Sequence, residues 1–237
     1  MSETTKIDKT MVPEHIAIIM DGNRRWAREH KMHRRDGHRE GAKSLESVME
    51  RAGDLGVKIL TVYAFSSENR LKRTKKEIRE LVALMKYFII KKRKDLFQRG
   101  ARLGILGNVK IFPDDLQQAI DKTVRLLKKN ERIKLNIALN YGARPEIVDA
   151  MKRIMNTCKD PSEINEELIS KNLYTHGEHD PDLIIRTGGE HRLSNFLLWQ
   201  ASYSELYFTN VLWPDFRQDD LDRAILEFQK RARRYGQ

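Results

Sequence analysis

What most limits the folds open to this chain is an alternation. Short runs rich in β-branched and aromatic residues are each followed by a longer stretch with apolar residues at helical spacing. His15 to Ile19, Lys58 to Phe65, Arg102 to Leu106, Ile133 to Asn140, Asp182 to Thr187 and Glu205 to Thr209 read as strands. Between them, His38 to Leu55 carries Ala42, Leu45, Val48, Met49 and Ala52 on one face, with Gly56 as a stop signal. Thr74-Lys75-Lys76-Glu77 has the form of a capping box, and Ile78, Leu81, Val82, Met85, Phe88 and Ile89 follow on one helix face. Asp114 to Lys129 repeats the pattern, Pro145 suits the first turn of a helix through Met155, and Asp219-Asp220-Leu221-Asp222 places acids where a last helix begins. Strand–helix alternation predicts an α/β fold in a single domain, a six-stranded parallel sheet with right-handed crossovers and helices on both faces. The 237 residues contain no linker rich in Pro, Gly or Ser, so one domain is expected over 13–237, after a polar N-terminal tail, 1–12.

In an open parallel sheet, ligands sit beyond the carboxyl ends of the strands. Three such ends carry polar chemistry here. The first strand runs into Asp21-Gly22-Asn23-Arg24-Arg25. A carboxylate beside two guanidinium groups suits a metal ion bridged to a phosphate whose oxygens the arginines grip, and a plain turn with an Asp–Arg ion pair is the alternative. The second strand ends in Ser66-Ser67-Glu68-Asn69, four side chains able to hold polar ligands or metal-bound water. The fifth opens into Gly188-Gly189-Glu190-His191-Arg192-Leu193-Ser194. There the glycines admit an anion to the backbone, Arg186 and Arg192 offer forked donors, and Ser194 is placed to cap a helix starting near Asn195.

A formal net charge of +11 points to polyanionic partners: nucleic acid, an anionic membrane or phosphorylated metabolites. The single cysteine, Cys158, excludes an internal disulfide and, with no signal peptide in sight, suggests a cytoplasmic protein. Neither nucleotide-binding glycine fingerprint is present. His176, Glu178 and His179 read as a solvated loop, and Lys91 to Lys94 as a solvated helix end with a minor chance of touching anionic lipid. The apolar face after Thr74 reads as core or as the wall of a hydrocarbon tunnel.

Five segments together carry a resemblance: HIAIIMDGNRRWA, TVYAFSSEN, LNIALNYGAR, LIIRTGGEHRLSNFLLWQ and SELYFTNVLWPDF. In this order they resemble the cis-prenyltransferases, the undecaprenyl diphosphate synthase family. The resemblance implies a homodimeric Mg2+ enzyme that condenses isopentenyl diphosphate repeatedly onto an allylic diphosphate such as farnesyl diphosphate, each new double bond being cis. By position, Asp21 matches the metal-binding aspartate and Gly22, Asn23, Arg24, Arg25 and Trp26 the segment contacting the allylic diphosphate, with Arg34 and His38 as further contacts. Ser66, Ser67, Glu68 and Asn69 match the catalytic stretch, with Arg70 and Arg73 just beyond it. Arg186, Arg192, Leu193 and Ser194 match the isopentenyl diphosphate site, Glu205 matches a second metal-linked acid, and Arg234-Tyr235-Gly236 matches a segment that completes the partner's site. The chain departs from the pattern at Arg70, where an aromatic residue is usual, by one extra residue before Glu77, and by Arg24 in place of a glycine. The resemblance also implies peripheral contact with a membrane through the lipid product, and no nucleic acid. Two other classes are a non-catalytic prenyltransferase subunit, which would lack these arginines, and a nucleic-acid binder, for which no module is present.

Overall fold

Each β-branched run forms a strand, because side chains stiff at the first torsion pack well on a pleated surface buried from both sides. The computed structural model describes residues 6–68 and 74–231. In chain order the strands are β1 (His15–Ile19), β2 (Ile59–Ser66), β3 (Ala101–Leu106), β4 (Ile133–Tyr141), β5 (Leu183–Arg186) and β6 (Glu205–Phe208). The helices are α1 (Asn23–Glu29), α2 (Arg34–Leu55), α3 (Lys75–Lys91), α4 (Arg93–Gln98), α5 (Asp114–Leu127), α6 (Ala143–Thr157), α7 (Glu166–Lys171) and α8 (Gln218–Lys230). The capping box at Thr74 forms, and Gly56 ends α2 in the left-handed conformation (φ 93°) that a β-carbon disfavours.

All six strands are parallel, in the order β3-β4-β2-β1-β5-β6. From the central β1 the chain winds toward β3 at one edge and later crosses to β5 and β6 at the other. The crevice beside β1 is therefore the switch point where ligands bind in such sheets. One face of the sheet buries Leu45, Val48, Ile89, Leu116 and Leu221 from α2, α3, α5 and α8, whereas the other buries Tyr141, Ala143, Phe196 and Leu197.

Two expectations need correction. The expected polar tail is partly built in: Ile7 and Val12 pack against the core, and Gln229 of α8 donates to the carbonyl oxygens of Asp8 (2.7 Å) and Met11 (3.2 Å). Glu178 is not solvated; it is paired with Lys134 and accepts from Asn136 Nδ2 at 2.5 Å.

Candidate active site at the carboxyl end of the sheet

Sheet register brings the predicted residues together. Ile19 of β1 lies level with Tyr63 of β2 and Arg186 of β5, so the segments after these strands emerge side by side. Asp21 is held by its backbone: its N–H donates to Thr187 Oγ1 (3.0 Å), and its carbonyl accepts from Thr187 Oγ1 (2.7 Å) and Trp213 N–H (3.0 Å). Gly22, at φ 115°, then turns the chain into α1. The carboxylate is held by side chains alone, two arginines at the cavity. It is 33% exposed, accepts from Arg186 Nη2 at 2.9 Å and lies 3.4 Å from Arg25 Nη2. Gly188 sits at φ 82°, left-handed backbone that a β-carbon disfavours, and such a carbon would lie 3.1 Å from the Asp21 carbonyl oxygen.

Arg186 is almost fully buried, and its Nη1 donates to Ser194 Oγ (2.8 Å) and to the Arg192 carbonyl. Its Nε is buried without a partner. The expected helix at Asn195 does not form, because Ser194 (φ 51°), Asn195 (φ 64°) and Leu197 (φ 47°) take left-handed backbone that a right-handed helix cannot continue. The loop instead makes Asn195 a junction. Its carbonyl accepts from Ala143 N–H (2.8 Å), its Oδ1 from Arg144 N–H (3.0 Å), and its Nδ2 donates to Glu68 Oε1 (2.6 Å). Asn195 thus ties the ends of β2 and β4 to the loop after β5, a role the sequence reading missed. Its only local signal is that asparagine tolerates left-handed backbone. Burial pushes the Glu68 carboxyl up, but hydrogen bonds from Asn195, its own backbone N–H, Ser67 and Ser66 outweigh it and hold the group below the usual range.

These groups form one end of a cavity of about 790 Å³. Asp21, Arg25, His38, Arg186, Arg192 and Ser194 line the polar end, and Leu45, Val62, Leu81, Met85, Phe88 and Ile89 the apolar depth. The helix face that read as core or tunnel wall places Ile89 in the core cluster and lines the cavity with Leu81, Met85, Phe88 and Ile89. Such a space suits an amphiphile with a polyanionic head and a hydrocarbon tail.

Of the predicted site residues, Asp21, Gly22, Asn23, Arg24, Arg25, His38, Ser66, Glu68, Arg186, Arg192 and Ser194 line this cavity. Ser67 stands behind it, donating to Glu68 Oε2 at 3.1 Å. Trp26 lies on the buried side of α1, where its Nε1 donates to Asp215 Oδ1 (2.7 Å) and its ring stacks on His30; it anchors the helix and does not line the cavity. Leu193 packs into the apolar cluster of the opposite sheet face. Arg34 pairs with Glu77, which also takes Arg24 Nη2 at 2.9 Å, and lines a neighbouring cavity. Glu205 begins β6, level through Leu183 with Ile16, so it lies at the amino end of the sheet and takes Arg231 Nη1 at 2.7 Å. Five residues of strand rise, about 16 Å, separate that level from Asp21. Within one chain the two acids cannot share a metal ion. Asn69, Arg70, Arg73 and the segment Arg234-Tyr235-Gly236 lie outside the described residues.

Among the described residues there is no group of three or more His, Cys, Asp or Glu side chains able to hold a metal. A part-exposed carboxylate among arginines still fits Mg2+, which keeps water and substrate phosphate oxygens around one or two protein carboxylates.

Residues 19–236 match the Prenyltransf family model, that of undecaprenyl diphosphate synthase. An isoprenyl transferase of Fusobacterium nucleatum is 49% identical over 95% of this chain and 96% of its own. A Pyrococcus furiosus protein named tritrans,polycis-undecaprenyl-diphosphate synthase (geranylgeranyl-diphosphate specific) is 45% identical over 98% of this chain and 89% of its own. Lavandulyl diphosphate synthase from Lavandula x intermedia, solved with dimethylallyl diphosphate, superposes with a TM-score of 0.91 at 34% identity, covering 96% of this chain and 100% of that one. The cationic head and apolar depth of the cavity agree with these likenesses, and the chain belongs to the undecaprenyl diphosphate synthase family of prenyl-group transferases.

Proposed function

We propose that the protein condenses isopentenyl diphosphate repeatedly onto an allylic diphosphate such as farnesyl or geranylgeranyl diphosphate, making a Z-polyprenyl diphosphate for lipid-carrier synthesis. One observation carries the reading: a single cavity joins a cationic head to a hydrocarbon-lined depth. The Gly22 amide, Arg25 and His38 hold the allylic diphosphate, and Arg34 joins them on release from Glu77. Arg186, Arg192 and Ser194 hold that of isopentenyl diphosphate. Asp21 would hold Mg2+, which would supply positive charge to the leaving diphosphate. When the allylic C–O bond breaks, its electron pair passes to a diphosphate already surrounded by donors, so stabilisation grows toward the transition state. The double bond of isopentenyl diphosphate attacks the allylic carbon, the new C–C bond forms, and a proton leaves to the departing diphosphate. Asn69 orients the reacting groups, since a neutral amide is too weak a base to take that proton. Much of the acceleration comes from alignment of two held substrates.

The active form is a homodimer. Its support is the β6 edge of the sheet, near which Tyr203 (81%) and Leu198 (39%) stay exposed. Glu205 lies on that edge strand, where a second copy could bring it to bear on a site it cannot reach in its own chain. Among the described residues no helix is long and apolar enough to cross a membrane, and the long hydrocarbon of the product gives one peripheral contact with lipid. The test is incubation with Mg2+, farnesyl or geranylgeranyl diphosphate and labelled isopentenyl diphosphate, followed by sizing of the products. A ladder of chains differing by one isoprene unit is expected; no incorporation of label overturns the reading.

A further inference from the structure

A second cavity, of about 640 Å³, is lined by α2 and α3 and shares Arg24, His38, Ala42, Leu81, Leu84 and Phe88 with the first. The four apolar residues among these give hydrocarbon in the apolar depth a way sideways toward the surface, alongside two basic side chains. The rim of this opening carries Arg34, Arg35, Arg39, Lys43 and Lys92. Of its glutamates, Glu46 is matched by Lys92 at 3.0 Å and Glu77 by Arg24 and Arg34, and Glu80 stands among the cations without an ion pair among the described residues.

The surface beside the opening is unusual for a protein in water. Lys92 keeps right-handed backbone (φ −88°, ψ −1°), its N–H donating to the Phe88 carbonyl (3.0 Å) and its carbonyl accepting from Leu96 N–H (2.9 Å), so α4 follows α3 with no loop between them. Tyr87, Ile90 and Phe97 are 57%, 39% and 54% exposed. At helical spacing they share about a third of the circumference with Lys91 and Lys94. Both lysines are exposed, with no ion-pair partner among the described residues. An apolar stripe flanked by lysines is the pattern of a helix lying in a membrane interface, its rings in the headgroup region and its cations on anionic lipid.

We propose that the α3–α4 face, with the basic rim of α2, docks on an anionic bilayer and holds the α2–α3 opening against the lipid. The role of the opening rests on the prenyl-transfer reading; the docking does not. The occupant follows from charge and continuity. A second copy of this chain would set lysines against lysines, whereas an anionic bilayer meets both the cations and the exposed apolar side chains, and it is where a long hydrocarbon leaving the opening dissolves.

The experiment is co-sedimentation with vesicles, without substrates or Mg2+, comparing phosphatidylcholine alone with phosphatidylcholine containing a third phosphatidylglycerol. Wild-type protein should partition to the anionic vesicles at least about tenfold more strongly. Lys91→Glu with Lys94→Glu should remove about tenfold or more of that binding. Phe97→Ser should weaken it several-fold with an unchanged salt dependence. Lys152→Glu with Lys159→Glu, the same charge change on α6 and just past its end, should leave it within about twofold. Failure of wild type to bind, or equal losses from both charge reversals, overturns the proposal. So does loss that Lys91→Glu with Lys94→Glu causes only toward a single-stranded oligonucleotide, which would make the face a polynucleotide surface. Turnover in detergent, assayed separately on each variant, should be unchanged. A wild type that turns over but does not bind sinks the docking alone, and one that binds but does not turn over sinks the transferase reading alone.

Discussion

Strand β1 has a titratable residue near each end, and the two are treated in opposite ways. At the amino end His15 is fully buried, its Nδ1 2.6 Å from the His179 carbonyl and its Nε2 2.7 Å from Thr61 Oγ1. Asp182 closes the same end by accepting from the Glu14 and His15 N–H groups at 2.7 and 3.0 Å. At the carboxyl end the backbone of Asp21 is equally well bound, but its carboxylate is part-exposed between arginines that face a cavity. Polar residues on a strand do not by themselves make a site. A site arises where the scaffold uses the main chain for support and leaves the charged groups to a ligand.

The comparison is broken most directly at Asp21. Asp21→Ala should lower turnover by at least about a thousandfold at saturating Mg2+. Circular dichroism should not change, because Thr187 and Trp213 hold backbone atoms that alanine keeps. Retention of more than about a tenth of the wild-type rate would remove Asp21 from the metal-linked step.

The next effect separates the two diphosphates. Arg186→Ala and Arg192→Ala should raise the KM for isopentenyl diphosphate by roughly ten- to a hundredfold, each losing charge-assisted hydrogen bonds. Arg34→Ala should act mainly on the allylic substrate. Titrating each substrate separately decides it, and equal effects on both constants from all three variants would merge the two sites into one.

Deeper in the cavity, Phe88→Ala should shift products toward longer chains, read by reversed-phase chromatography. Its ring is only part-buried and lines both cavities, so the stability cost should fall below the roughly 3–5 kcal/mol of a fully buried ring. An unchanged product distribution would move the length-setting floor to another residue.

The smallest effect on turnover belongs to the amino end. His15→Ala should leave the rate per folded molecule within about twofold while costing roughly 2–4 kcal/mol of stability, as two buried partners lose their bonds. Burial holds the His15 imidazole below its ordinary value of about 6.5, against the hydrogen bond to the His179 carbonyl, which raises it. The folded state thus disfavours the proton. The His15 contribution is fully present above about pH 6.5 and is lost as pH falls through the lower folded value. Thermal unfolding midpoints should drop over that window in wild type and drop less in His15→Ala. An equal slope would assign the pH dependence to other groups.

How far the site could be read from the sequence follows the same division. The strands were legible because β-branched runs have few alternatives, and Asp21, Arg25, Arg186 and Ser194 because each stands at or just past the end of such a run. Glu205 was legible at the start of its strand, as found, but its distance from Asp21 was not, because its level depends on register carried through β5 to β1. Trp26 was misread because its neighbours in the chain face the cavity while its own side chain turns inward to Asp215. The Arg34–Glu77 pair spans 43 residues and two helices, and nothing local to either announces it. Asn195 was missed because its work is done by backbone conformation.

The pairing of Asp21 with Arg186 spans 165 positions of the chain. During synthesis at roughly 5–20 residues per second, β1 must therefore wait about 10 to 30 s after it is made before the strand that completes its far side exists. For that interval an apolar, β-branched central strand has one edge without its partner, which is a hazard for pairing with other chains. Parallel strands so distant in sequence also close slowly, because the entropy of the long loop is lost before the contact rewards it. The cavity end of the sheet is thus among the last parts of the molecule to be assembled, and a newly made chain completes that cavity only when nearly all of it has been translated.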